Sequence, residues 1–172
     1  MACELKPGDL LQCYNPSVLR DAIVVAERIG MLRTGIRPPR GQPIYSHTAV
    51  YIGNDLVIEA LGAGLVRSPV SKHLGNADVW TRDIEASGRE TIVQRAETMY
   101  STGYRYAWMD LGVQLIHLTL GLKISYHFDH SIICSVFGYD CWAANGWKVA
   151  KRRNCDPEDI ALGGVLHFAG EF

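Results

Sequence analysis

Residues 45–61 read "YSHTAVYIGNDLVIEAL", two β-rich runs joined by a Gly-Asn-Asp turn, and the register between them decides how a sheet would be built. Strands are expected over 45–52 and 56–61. Successive side chains of a strand point to opposite faces, so a one-residue slip exchanges the faces of the whole strand. With a three-residue loop, Gly53 to Asp55, position 52 faces 56 and position 49 faces 59. One face then carries Thr48, Val50, Ile52, Leu56, Ile58 and Ala60, and the other His47, Ala49, Tyr51, Val57, Glu59 and Leu61. A two-residue loop would place Glu59 on the apolar face of Val50 and Ile52, so the three-residue loop is the better account. His47 and Glu59 are then diagonal neighbours, about 7–8 Å apart between backbones, and the carboxylate can orient the imidazole.

Outward from this hairpin, "KPGDLLQCY" (6–14) opens with a turn signal and runs into a strand over 9–14. The segment 16–30 has helical spacing, with Ser17 as N-cap and Gly30 as stop, and the Gly-, Pro- and Arg-rich stretch 34–43 reads as a surface loop. Strands over 64–70 and 78–84 extend the hairpin into an antiparallel meander. A helix over 87–103 carries Ser87 as N-cap and Glu90 three residues on, the signature of a capping box. Further helices are expected over 108–120 and 131–150, then a short turn or helix and a last strand in "DPEDIALGGVLHFAG" (156–170). Strands followed by helices predict an α+β domain with helices packed on a small antiparallel sheet.

The 172 residues suit one hydrophobic core, so residues 1–172 are read as a single domain, and 48% hydrophobic with 20% charged residues is a globular balance. A net charge of -1, with no like-charge run longer than the "KRR" at 151–153, argues against a nucleic-acid partner. The most apolar stretch, 106–124, contains Asp110, Gln114, His117 and Lys123, so no integral membrane segment is expected there. The N-terminus lacks the pattern of a secretory signal peptide, so a cytoplasmic protein is expected. Five cysteines, an odd number in no zinc-finger or disulfide-scaffold spacing, read as free thiols. Oligomeric state leaves no trace in the sequence.

An imidazole held by a carboxylate is half of a nucleophilic site, and the other half is a thiol or hydroxyl that it deprotonates. Cys134, in "FDHSIICSVFGYDCW", lies near the start of a predicted helix, where unsatisfied N–H groups stabilise a thiolate and could bind an oxyanion. Cys141, two turns deeper, is read as a core cysteine. A lone strand histidine, a lone buried cysteine or a lone edge carboxylate is more often structural than catalytic. The combination of His47, Glu59 and a helix-N-terminal Cys134 is what points to chemistry. A metal set of His127, His130 and Cys134 lacks the further close pair that would complete four ligands. No metal or cofactor is therefore expected. Tyr104 and Tyr106 in "GYRY" are candidates for lining a substrate cleft, although aromatic pairs next to an apolar helix are usually core. His73, His117 and His167 have no visible partners and are assigned no role.

The order "GDLLQ", "SHTAVYIG", "VIEA", "GLVRSPV", "GYRYAWMDLG", "IICS" and "DPEDIA", spanning about residues 7 to 162, resembles the circularly permuted branch of the NlpC-type papain-like cysteine hydrolases, particularly the YiiX-like group. The resemblance implies a permuted papain-like fold, with Cys134 as nucleophile, His47 as general base and Glu59 as orienting residue. Val136 departs from the acidic residue that this family often carries two positions after the cysteine. The implied function is thiol-dependent hydrolysis of an amide bond, the substrate being a peptide, including cell-wall peptides, or an acylated amine. A phage-borne or injected enzyme would reach a cell wall without a signal peptide. Alternatives are a lipid acyltransferase or thioesterase like the lecithin-retinol acyltransferase group, a peptidase for a small protein modifier, and a non-catalytic binding domain that retains the fold.

Overall fold

The computed structural model describes residues 3–14, 44–106 and 131–172 of the chain. The helices expected over 16–30 and 108–120 and the loop 34–43 lie outside them. Strand β1 (Leu10–Cys13) is followed by the hairpin β2 (His47–Gly53) and β3 (Leu56–Leu61), and then by β4 (Gly64–Pro69). A 3-10 turn (Val70–His73) leads to β5 (Ala77–Thr81) and helix α1 (Ala86–Ser101). Two short strands, β6 (Arg105–Tyr106) and β7 (Ser131–Ile132), precede helix α2 (Cys134–Ala143), which is followed by α3 (Pro157–Ala161) and β8 (His167–Glu171).

The domain is α+β, with a six-stranded antiparallel sheet in the order β4-β3-β2-β1-β5-β8. The expected meander holds for β2, β3 and β4 and fails for β5. The 3-10 turn carries the chain back across the sheet, and β5 pairs with β1 rather than β4. Ala49 pairs with Glu59, as the register arithmetic requires, but the loop differs. Its central residues are Asn54 and Asp55, at φ 52 and 56, and Gly53 pairs with Leu56. This is a two-residue turn of the kind that asks for left-handed residues. A bulge between Tyr51 and Gly53 absorbs the odd residue, so the faces come out as a three-residue loop would leave them.

Both faces are covered. Val50, Ile58, Ala60 and Leu10 join α1 and α2 in the larger core, through Ile92, Ala96 and Met99 on one helix and Phe137, Cys141 and Trp142 on the other. On the opposite face Leu11, Cys13, Ala49, Tyr51 and Val57 form a smaller cluster, closed by Val70 and Ala77. Helix α1 begins at Ala86 with Glu85 as N-cap and no side-chain cap, so the Ser87 capping box expected from the sequence does not form. The capping box lies instead at α3, where Asp156 and Asp159 bond each other's backbone N–H groups. Among the described residues no helix is long and apolar enough to cross a membrane.

Candidate active site

The nucleophile candidate is fixed by local pairing. Strands β6 and β7 run parallel, Arg105 opposite Ser131 and Tyr106 opposite Ile132, and end the extended chain just before Cys134, the first residue of α2. Gly64 lies so close to the carbonyl of Tyr104 that a Cβ would come within 2.6 Å of it, and the Leu65 N–H donates to that carbonyl at 3.3 Å. The helix start is thereby tied to β4. Ile133 caps α2 without a side-chain bond, so no cap side chain occupies the first-turn amides. Farther along, Gly138 sits against Thr48 of β2, where a Cβ would lie 2.9 Å from the Thr48 methyl. The Trp142 indole N–H donates to the Gly8 carbonyl at 3.0 Å and anchors the far end of the helix.

Across from this helix start, His47 Nε2–H donates to Glu59 Oε2 at 2.8 Å, the diagonal contact expected from the register. His47 and Cys134 lie close enough that each shifts the titration of the other. With Nε2 committed to Glu59, Nδ1 is the nitrogen left for the thiol. The backbone of Thr48 and of Ser135 also favours the thiolate. The three sequence candidates are thus brought together in the order Cys134, His47, Glu59.

Glu59 has no solvent exposure. Besides His47 it accepts from Lys72 Nζ, at 2.8 Å on Oε1, and His73 Nε2 stands 3.5 Å from Oε2. His73 is buried at 1% exposure, and its Nδ1 is 3.4 Å from the Cys13 sulfur. The sequence assigned His73 no partner, and the structure corrects this. Lys72 and His73 come from the 3-10 turn folded back over the sheet, a long-range placement with no local signal. At 3.5 Å His73 lies within reach of the charge without a hydrogen bond of good geometry.

Burial alone would push His47 down, but the Cys134 thiolate and the Glu59 carboxylate outweigh it and raise its pKa to about 9. Burial would raise Glu59, but the neighbouring His47, His73 and Lys72 hold it well below the ordinary carboxylate range. Burial would likewise raise Cys134, and the charge of His47, helped by the backbone of Thr48 and Ser135, reverses the direction, so its pKa is lowered. The other four thiols, Cys3, Cys13, Cys141 and Cys155, are all raised, with burial the first cause in each. None of the five cysteines forms a disulfide among the described residues. Cys141 is fully buried in the larger core, as the sequence indicates.

Tyr104 is half-buried and packs against the larger core, and its carbonyl accepts from the Leu65 N–H. Tyr106 is described through its backbone in β6. His127 and His130 lie outside the described residues, among which no group of three His, Cys, Asp or Glu side chains is arranged to hold a metal ion. Gln12, fully buried beside Thr48, accepts from the Thr48 hydroxyl at 2.8 Å, and its Nε2 has no partner. No protein-family model and no curated protein matches the chain.

Proposed function

We propose that the protein is a cysteine hydrolase that cleaves an amide bond, built on a permuted papain-like fold of the NlpC type. The observation that carries this reading is that His47, held by the buried carboxylate of Glu59 at 2.8 Å, stands beside Cys134, and the charge of His47 lowers the pKa of that thiol while the other four are raised. A thiolate paired with an imidazolium is a competent nucleophile near neutral pH.

Cys134 Sγ attacks the substrate carbonyl carbon and the carbonyl π pair moves to oxygen, giving a tetrahedral oxyanion. Amides of the first turn of α2 supply the donors for that charge. As the oxyanion collapses the C–N bond breaks, and His47 passes its Nδ1 proton to the leaving amine. A water then gives a proton to His47 and attacks the acyl carbon, the S–C bond breaks, and the thiolate–imidazolium pair is restored. Glu59 keeps Nε2–H in place throughout, which fixes the tautomer and the ring plane.

Hydrolysis of acyl-peptide amides by the purified chain and by Cys134→Ala tests this directly. Turnover is expected to be abolished in Cys134→Ala, with the circular dichroism spectrum and melting temperature retained. Activity surviving in the variant would contradict the mechanism. Esters, thioesters and phospholipid vesicles in the same screen separate an amidase from a lipid acyltransferase.

A further inference from the structure

We infer that Lys72 and His73, consecutive residues of the 3-10 turn, are positioning residues of the same site, sharing the charge of Glu59 and thereby setting how tightly Glu59 holds the proton of His47. The inference rests on the thiol-hydrolase reading. A carboxylate with no solvent contact has only its protein partners to spread its charge. Here the two oxygens are divided: Oε1 belongs to Lys72 at 2.8 Å, and Oε2 is used by His47 at 2.8 Å and approached by His73 at 3.5 Å. The Cys13 thiol can donate to His73 Nδ1 at 3.4 Å, leaving the tautomer with Nε2–H directed at Oε2. The rings of His47 and His73 are stacked, centroids 6.3 Å apart and 25° from parallel.

The groups facing His47 are therefore Cys134 from α2, Glu59 from β3, His73 from the turn and Cys13, its register partner, from β1. Lys72 acts on it through Glu59. Without a competing cation, a buried carboxylate would concentrate its charge on Nε2–H and make the imidazolium a poor acid toward a leaving amine, because a general acid works best with a pKa near the operating pH. Lys72 removes part of that pull, and as the turn's exposed member, 43% accessible, it can be replaced without opening the core.

The test is a pH titration by NMR of the full chain with 15N-labelled histidine, in wild type, Lys72→Met and Lys72→Arg. The His47 signal is identified by its loss in His47→Gln. Lys72→Met is expected to titrate about half a unit above wild type, the gap narrowing in 1 M salt because the lysine is partly solvated. Lys72→Arg is expected to match wild type. His73→Phe, which keeps a ring and removes both nitrogens, should shift His47 in the same direction. A merely structural lysine would change the melting temperature and leave the titration where it was. His47 in Lys72→Met at or below the wild-type value overturns the charge-sharing role of Lys72, and an unmoved His47 in His73→Phe overturns that of His73. If His47 titrates near 6.5 in wild type, both this inference and the hydrolase reading fall. A raised wild-type value unmoved by either variant sinks the inference alone.

Discussion

Glu59 sits at full burial in the middle of a strand, a position where an ionised carboxylate costs several kcal/mol unless partners compensate. Its cationic partners, Lys72 on one oxygen and His47 on the other, make its stability contribution pH-dependent. Because its pKa is lower folded than unfolded, the stabilisation is fully present above the unfolded value of 4.5 and is lost as pH falls below it. Glu59→Gln is expected to cost about 3 kcal/mol at pH 7, the low end for a broken buried pair because His47 and Lys72 keep some solvent contact. The gap should narrow by about 2 kcal/mol by pH 3. Urea midpoints at the two pH values measure it: a gap independent of pH would show that folding leaves the Glu59 pKa unshifted, and a gap that widens toward pH 3 would show that Glu59 is held neutral. At this scale the sequence was informative for the pair His47 and Glu59, because strand alternation makes diagonal neighbours computable. It was silent on His73, fourteen residues from Glu59 and brought to it by a change of chain direction.

Helix α2 works as a unit that carries Cys134 to the sheet, and at Gly138 it packs tightly against Thr48. A methyl group there would be under 3.0 Å from the threonine methyl, with β2 on one side and the helix backbone on the other. Gly138→Ala is expected to destabilise the protein by about 1–3 kcal/mol and to slow alkylation of Cys134 by tilting the helix off His47. Denaturant titration and labelling of the same variant check both effects, and an unchanged labelling rate would mean that the helix start is held independently of this contact. The sequence reading placed this helix over 131–150. It starts later because Ser131 and Ile132 pair with β6, and it stops at Ala143 because Asn145 and Gly146, the latter at φ 81, form a turn. The Asn-Gly stop is a local signal that the reading over 131–150 passed over, whereas a two-residue parallel pairing between distant segments carries no periodic signal.

For the whole molecule, the α+β class and most strands followed from hydrophobic alternation and turn residues, while strand order did not. Alternation specifies faces but not neighbours, and β5 reaches β1 only because the 3-10 turn crosses the sheet. That crossing also delivers Lys72 and His73 to Glu59, so the topological departure and the missed site residues have one cause. The central claim is that the assembled sheet and helix give Cys134 a reactive thiolate through His47. Its most direct test is the rate of iodoacetamide labelling against pH, read residue by residue by mass spectrometry, for wild type and His47→Ala. Cys134 is predicted to label faster than the other four cysteines well below pH 8.5, the ordinary thiol range, and to lose that advantage without His47. Labelling of Cys134 no faster than the exposed-side Cys3, or unaffected by His47→Ala, would contradict the claim.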